Sequence, residues 1–180
     1  MIYYTADLHF GHSNVIEMSK RPFKDIDEMD NALIALWNRT VSNDDTVYIV
    51  GDFAYRSSRP YSYYLERLNG KKHLIIGNHD RHLVKTENLA AYFQSVQQMT
   101  VVKDGQEQIV LCHYPIAEWS GYFRGWYHIH GHIHNARNQV FEYIKTQERM
   151  LNAGVDINNY KPVTFQELFV NNQYFKNLQY

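Results

Sequence analysis

Four short apolar runs in this chain each stop at a cluster of Asp, Asn or His, and that repeated juxtaposition restricts the architectures open to it. Ile2–Thr5 leads into Asp7-Leu8-His9, and Thr46–Val50 ends in Gly51-Asp52. The run 72–76 ends in Gly77-Asn78-His79-Asp80, and the run 106–112 ends in His113. The runs are rich in β-branched residues and do not alternate strictly, which is the pattern of strands covered on both faces. Between them, Ile26, Met29, Leu33, Leu36 and Trp37 recur at helical spacing and predict a helix over 25–40. A second helix is expected over 61–68, closed by Asn69-Gly70, and a third over 83–93. Asp104-Gly105 between 99–103 and 106–112 predicts a hairpin. A histidine-rich strand or tight loop is expected over 129–133, a strand over 149–153 and a short helix over 164–169. Strands alternating with helices define the α/β class. In that class ligand groups gather at the carboxyl ends of strands, where the polar clusters lie.

The 180 residues suit one domain spanning 1–180, with no repeat, low-complexity tract or linker. Net charge is -1, so no global field draws the chain to nucleic acid or to an anionic membrane. No run approaches the ~20 apolar residues of a membrane span. The lone cysteine, Cys112, cannot form an internal disulfide, and the N-terminus lacks the basic and apolar regions of a signal peptide. Both features point to a reducing, cytoplasmic setting. Cys112 next to His113 invites a nucleophile reading, but a small apolar strand residue is the simpler one.

Ten histidines are the unusual count. Taken singly, Asp7-x-His9, Gly51-Asp52 or His113 carries little information. Gly131-His132-Ile133-His134 is more specific, because imidazoles at i and i+2 of an extended segment can serve adjacent positions. In their order along residues 7–134, the five clusters resemble the calcineurin-like metallophosphoesterase family. The stretch from Asp7 to Asn14, the segment Asn152-Ala153-Gly154-Val155-Asp156 and the segment Tyr160-Lys161-Pro162-Val163 are similar to its small single-domain bacterial and phage branch.

The resemblance implies a fold of two mixed β-sheets packed face to face and flanked by helices. It implies two divalent metal ions: Asp7, His9, Asp52 and His134 on one, and Asp52, Asn78, His113 and His132 on the other, with Asp52 bridging. His79 matches the general acid, with Asp80 orienting it, and a metal-bridging hydroxide is the in-line nucleophile. The chemistry of the set is coherent. Imidazole, carboxylate and amide donors suit Mn, Fe, Zn, Co or Ni, with Mn the leading expectation. Two carboxylates contribute -2 against +4 from two ions, so the centre stays positive even with hydroxide and attracts a phosphate ester. Imidazole titrates near neutrality and suits protonation of a leaving alkoxide.

Other residues are open to two readings. His12 and Asn14 could contact substrate, or Ser13 or Asn14 could cap the segment that follows. Trp119, Tyr122, Phe123, Arg124, Trp126 and Tyr127 could form an aromatic wall that stacks a base and holds a phosphate, with Arg124 and Trp126 as contacts, or a hydrophobic loop packed on the domain. Arg56 and Arg59 could reach substrate or lie on the surface. His128 and His130 fit structural or outer-shell roles better than ligation, and His73 and His82 need no special role. The leading functional expectation is a phosphodiesterase on a small nucleotide-like substrate. A phosphomonoesterase with the same site comes second. A nuclease is disfavoured by the charge, and a non-catalytic interaction scaffold by the complete motif set. Neither oligomeric state nor physiological substrate is legible.

Overall fold

The computed structural model describes residues 1–86 and 88–178, with Thr86 described by its backbone alone. Eight strands form two four-stranded sheets. The first runs β1 (Ile2–Thr5), β2 (Thr46–Val50), β3 (Lys71–Ile75) and β4 (Phe93–Gln97) in spatial order, parallel throughout. Val163 adds one antiparallel bridge to Tyr4. The second sheet is mixed. β5 (Met99–Asp104) and β6 (Glu107–Cys112) form the antiparallel hairpin, and β7 (Tyr127–His130) and β8 (Met150–Asn152) follow in parallel. The chain is α/β, with two sheets flanked by helices in a metallophosphoesterase-type sandwich.

Consecutive residues of the strands serve different cores, which explains the unbroken apolar runs. Tyr4, Val50 and Ile75 from the first sheet meet Ile109, Leu111, Ile129 and Leu151 from the second in the inter-sheet core. Their neighbours Tyr3, Ile49 and Leu74 face the opposite way, against Met29, Leu33 and Trp37 of α2 (Ile26–Thr40) and Tyr64 of α3 (Tyr61–Leu65). On the far side of the second sheet, Val110 and Met150 pack on Phe141 and Ile144 of α5 (Gln139–Lys145) and Phe175 of α6 (Phe165–Asn177). Asp25 caps α2 by accepting from the Glu28 amide at 2.8 Å. Thr164 and Glu167 form a capping box that starts α6. No helix among the described residues is long and apolar enough to cross a membrane.

Three elements differ from expectation. The helix expected over 83–93 is instead α4 (Arg81–Thr86), a single 3-10 turn (Leu89–Ala91) and the start of β4; position 87 lies outside the described residues. Edge pairing of Phe93–Gln97 with β3 overrides local helical preference there. The C-terminal helix runs on to Asn177, well beyond 169. Its buried polar residue Asn172 has no apolar signature but bonds both backbone groups of Asn152. α5 was not expected; Asn138 caps it by accepting from the Val140 and Phe141 amides. The short helix α1 (Asn14–Met18) follows Ser13, which makes no side-chain cap. Cys112 is a buried free thiol inside β6, as a packing residue would be.

Candidate metal centre

Strand ends from both sheets open onto one side of the sandwich. Asp7 and His9 follow β1, Asp52 follows β2, and Asn78, His79 and Asp80 follow β3. From the second sheet come His113 after β6 and His132 and His134 after β7. All seven expected ligands converge. His9 Nε2 lies 3.2 Å from His134 Nε2 and 3.6 Å from Asp52 Oδ2. His113 Nε2 lies 3.4 Å from Asp52 Oδ2, and His134 Nε2 lies 3.9 Å from Asp7 Oδ1. Asn78 Oδ1 sits between His113 Nε2 at 3.1 Å and His132 Nδ1 at 2.9 Å. Two triads, Asp7/His9/His134 and Asp7/Asp52/His113, each bring their donor atoms within 4.8 Å of one another.

Tight strand-to-loop turns produce this convergence. Asp7, His9, Asp52, His132 and His134, five of the seven, adopt left-handed backbone with φ between 52° and 74°. Non-glycine residues rarely do so, and each costs of the order of 1–3 kcal/mol. Gly77 permits a close approach: a Cβ there would overlap the Asp52 carboxylate and amide.

The donor atoms fit divalent cations. Asp7 and Asp52 are buried, and their carboxylates are faced by imidazoles and amides, with no Lys or Arg ion pair among the described residues. Burial raises the Asp7 pKa. For Asp52 burial pushes the same way, but His113 and His9 outweigh it and hold the carboxyl at about 2. Burial disfavours the charged form of His113, yet Asp52 and Asp7 raise it to about 9. His113 Nδ1 is 2.9 Å from the Val50 carbonyl, which only accepts, so Nδ1 keeps a proton and Nε2, facing the cluster, is the nitrogen left to bind a metal once it gives up its own. His134 Nδ1, 3.1 Å from Asp156 Oδ2, is fixed in the same sense.

His79 borders the cluster, half-exposed. Its backbone amide donates to Asp52 Oδ1 at 2.8 Å, and its ring Nε2 is 4.0 Å from Asp52 Oδ2. The ring packs on Tyr55, centroids 4.1 Å apart. Burial, reinforced by His113, His134 and Arg56, lowers its pKa despite Asp52. Asp80, expected to orient this imidazole, does not do so through its side chain. Its oxygens accept from the amides of Gly77 at 2.7 Å and of Asp52 and Phe53 at 2.9 Å, tying the β2 and β3 loops together. Burial raises its pKa to about 6.

His12 joins the site, its ring 5.3 Å from His9 and 6.3 Å from His79. Asn14 is exposed at the start of α1, where Ser13 donates to it at 3.5 Å. Trp126 packs against the outer core with Trp119 and Ile133, and Arg124 lies over its ring at 5.0 Å. Among the described residues no contact joins Asn14, Arg124 or Trp126 to the cluster, so the packed-loop reading fits the Trp119–Trp126 segment. His128 and His130 are fully buried outside the donor set.

Arg21, Asn152 and Asp156 also support the centre, although nothing in the sequence singles any of them out as a site residue. The Arg21 guanidinium, fully buried, donates to the Asp7 and Leu8 carbonyls and pairs with Asp156 at 2.8 and 3.1 Å. Asn152 donates to the His134 carbonyl at 2.8 Å. Tyr114 stacks edge-on against His132 with centroids 4.8 Å apart. No spacing marks Arg21. Asp156 and Asn152 fall in a segment where only family resemblance drew attention.

A parallel sheet and a mixed sheet with histidines, carboxylates and an amide at their shared carboxyl edge define a metallophosphoesterase type of architecture. Residues 1–171 match the calcineurin-like phosphoesterase family model. The chain therefore belongs to the calcineurin-like phosphoesterases, a family of hydrolases that typically work with two metal ions. It is similar to an uncharacterized protein of Methanocaldococcus jannaschii, 33% identical over 165 residues covering 91% of this chain and 86% of that one. It is also similar to the gene 66 protein of Mycobacterium phage D29, 28% identical across 86% of this chain and 87% of the phage protein. Among solved structures it resembles a protein of unknown function from Aquifex aeolicus, with a TM-score of 0.73 and 27% identity over 93% of this chain and 96% of that one.

Proposed function

We propose that the chain, as a single domain over 1–180, is a dinuclear-metal phosphodiesterase acting on a small nucleotide-like ester. The observation that carries this reading is the convergence of three imidazole Nε2 atoms on two buried carboxylates. Asp7, His9, Asp52 and His134 would hold one ion, and Asp52, Asn78, His113 and His132 the other. Mn is the first choice among the borderline metals that suit these donors. The ions, when bound, supply positive charge for the phosphate and acidified water for attack.

The chain's own residues do the rest. His113 and His134 are held in the ligating tautomer by Val50 and Asp156. His79 in its protonated form is the general acid that gives a proton to the departing oxygen, and burial, which lowers its pKa, makes that imidazolium a readier donor. Tyr55 fixes the plane of that imidazole. Asp80 keeps the loops carrying Asp52 and His79 in register. His12, beside His9 and His79, is placed to meet a substrate phosphate oxygen.

The test is hydrolysis of bis(4-nitrophenyl) phosphate and of 4-nitrophenyl phosphate, side by side, by metal-stripped protein refilled with Mn. Diester turnover that exceeds monoester turnover and disappears with chelator is expected. Preference for the monoester would replace this reading with a phosphatase.

A further inference from the structure

The residues that follow β2 and β3 enclose a cleft of about 740 Å³ that has Asn78 and His79 in its wall. Three arginines, Arg56, Arg59 and Arg81, line it, and no carboxylate does. The chain as a whole has 18 basic and 19 acidic residues, so a one-signed cleft is not what its composition supplies by default. Arg59 is committed to Asp27 at 2.6 Å. Arg56 and Arg81 make no ion pair among the described residues, so their forks are available to an anion. Arg56 sits in left-handed backbone, φ 51°, a conformation with an energetic cost that is concentrated at functional positions. Its guanidinium lies 5.1 Å from the Tyr55 ring centroid, and Tyr55 in turn packs on His79.

In the diesterase reading, on which this inference rests, His79 protonates the leaving group, so the cleft beside His79 is the leaving-group side. Guanidinium pairs bind phosphate oxygens bidentately. The volume suits a group the size of one nucleotide. We propose that this cleft binds a second phosphate, carried by the leaving group, so that the substrate is a dinucleotide-sized diester with a phosphorylated leaving nucleotide. Arg56 and Arg81 are the residues that select it.

The experiment compares kcat/KM for thymidylyl-thymidine and for its 5′- and 3′-phosphorylated forms, with products separated so that cleavage of the inner diester is counted alone. One phosphorylated form should exceed the plain dinucleotide by about tenfold or more. That ratio should fall toward one in the Arg56→Ala/Arg81→Ala double variant and persist in Arg39→Ala, which removes a charge from the exposed side of α2. Binding of thymidine 3′,5′-bisphosphate against thymidine monophosphate, measured by calorimetry, gives a second readout that needs no turnover. Equal cleavage of all three dinucleotides, or a ratio that survives the double variant, overturns the cleft and leaves the diesterase standing. No cleavage of any dinucleotide, with bisphosphate binding that still depends on Arg56 and Arg81, overturns the diesterase and leaves the anion cleft.

Discussion

The Asp156 carboxylate lies 3.1 Å from Nδ1 of His134 and is clamped from its other side by the buried Arg21 guanidinium. This contact fixes which nitrogen of His134 faces the carboxylate of Asp7 and the ring of His9. Arg21 also holds the Asp7 carbonyl, so one buried pair governs the geometry of two motif residues at once.

Asp156→Ala should therefore act on both stability and metal binding. Leaving Arg21 buried and unpaired is expected to cost about 3 kcal/mol or more in urea unfolding. Loss of this carboxylate, which leaves His134 Nδ1 with the Ser19 hydroxyl at 3.2 Å alone, should weaken metal binding about 10- to 100-fold in a competition titration. Wild-type metal affinity in a folded variant would show that Asp156 does not support the centre.

His79→Ala should keep its metal content, because the Asp52 contact at this position uses the backbone amide. On a diester with an alkyl leaving group, kcat should fall by about 10²- to 10⁴-fold. The loss should be much smaller with 4-nitrophenolate, which departs without a proton. An equal loss on both substrates would remove the general-acid role.

Gly77→Ala places a Cβ against the Asp52 carboxylate. Relief requires moving Asp52 or the β3 loop, so about 1–3 kcal/mol of stability should be lost along with most metal binding. A variant with unchanged melting and metal content would mean that the loops are looser than these contacts require.

Lys176 offers a pH test away from the centre. Its ammonium is buried and donates to the carbonyls of Gln147 and Met150, both at 2.7 Å. Burial lowers its pKa to about 8. Between pH 8 and its ordinary value near 10.5, the unfolded chain holds a proton that the folded chain lacks, so stability rises with pH. From pH 8 to 10 the gain should be about 2 kcal/mol, and Lys176→Met should flatten that slope. A wild-type curve without the rise would mean that Lys176 titrates normally in the fold.

Much of this was legible in the sequence because strand and ligand signals coincide. Residues 46–50 read as a buried strand, and Asp52 stands two residues beyond, where a strand-end ligand belongs. The same holds for Asn78 after β3 and for His132 and His134 after β7. What was hidden depends on partners distant in sequence. Phe93–Gln97 became a strand only because β3 offers it an edge. Asn172 could enter the core only because Asn152 satisfies its amide. Arg21 looks like an ordinary surface cation until the fold buries it against Asp156. Adjacency of Asp80 to His79 in sequence conceals the bonds its side chain makes to three backbone amides. Trp126 and Arg124 fall between two motifs in sequence yet pack away from the cluster.

The most direct measurement is the metal content of protein stripped, refilled with Mn and desalted, for wild type and Asp52→Asn in parallel. If Asp52 is shared by both positions, wild type should retain two ions per chain and the variant neither, with diester hydrolysis lost in step. Two ions retained by a folded Asp52→Asn variant, or none by wild type, would contradict a dinuclear centre bridged at this residue.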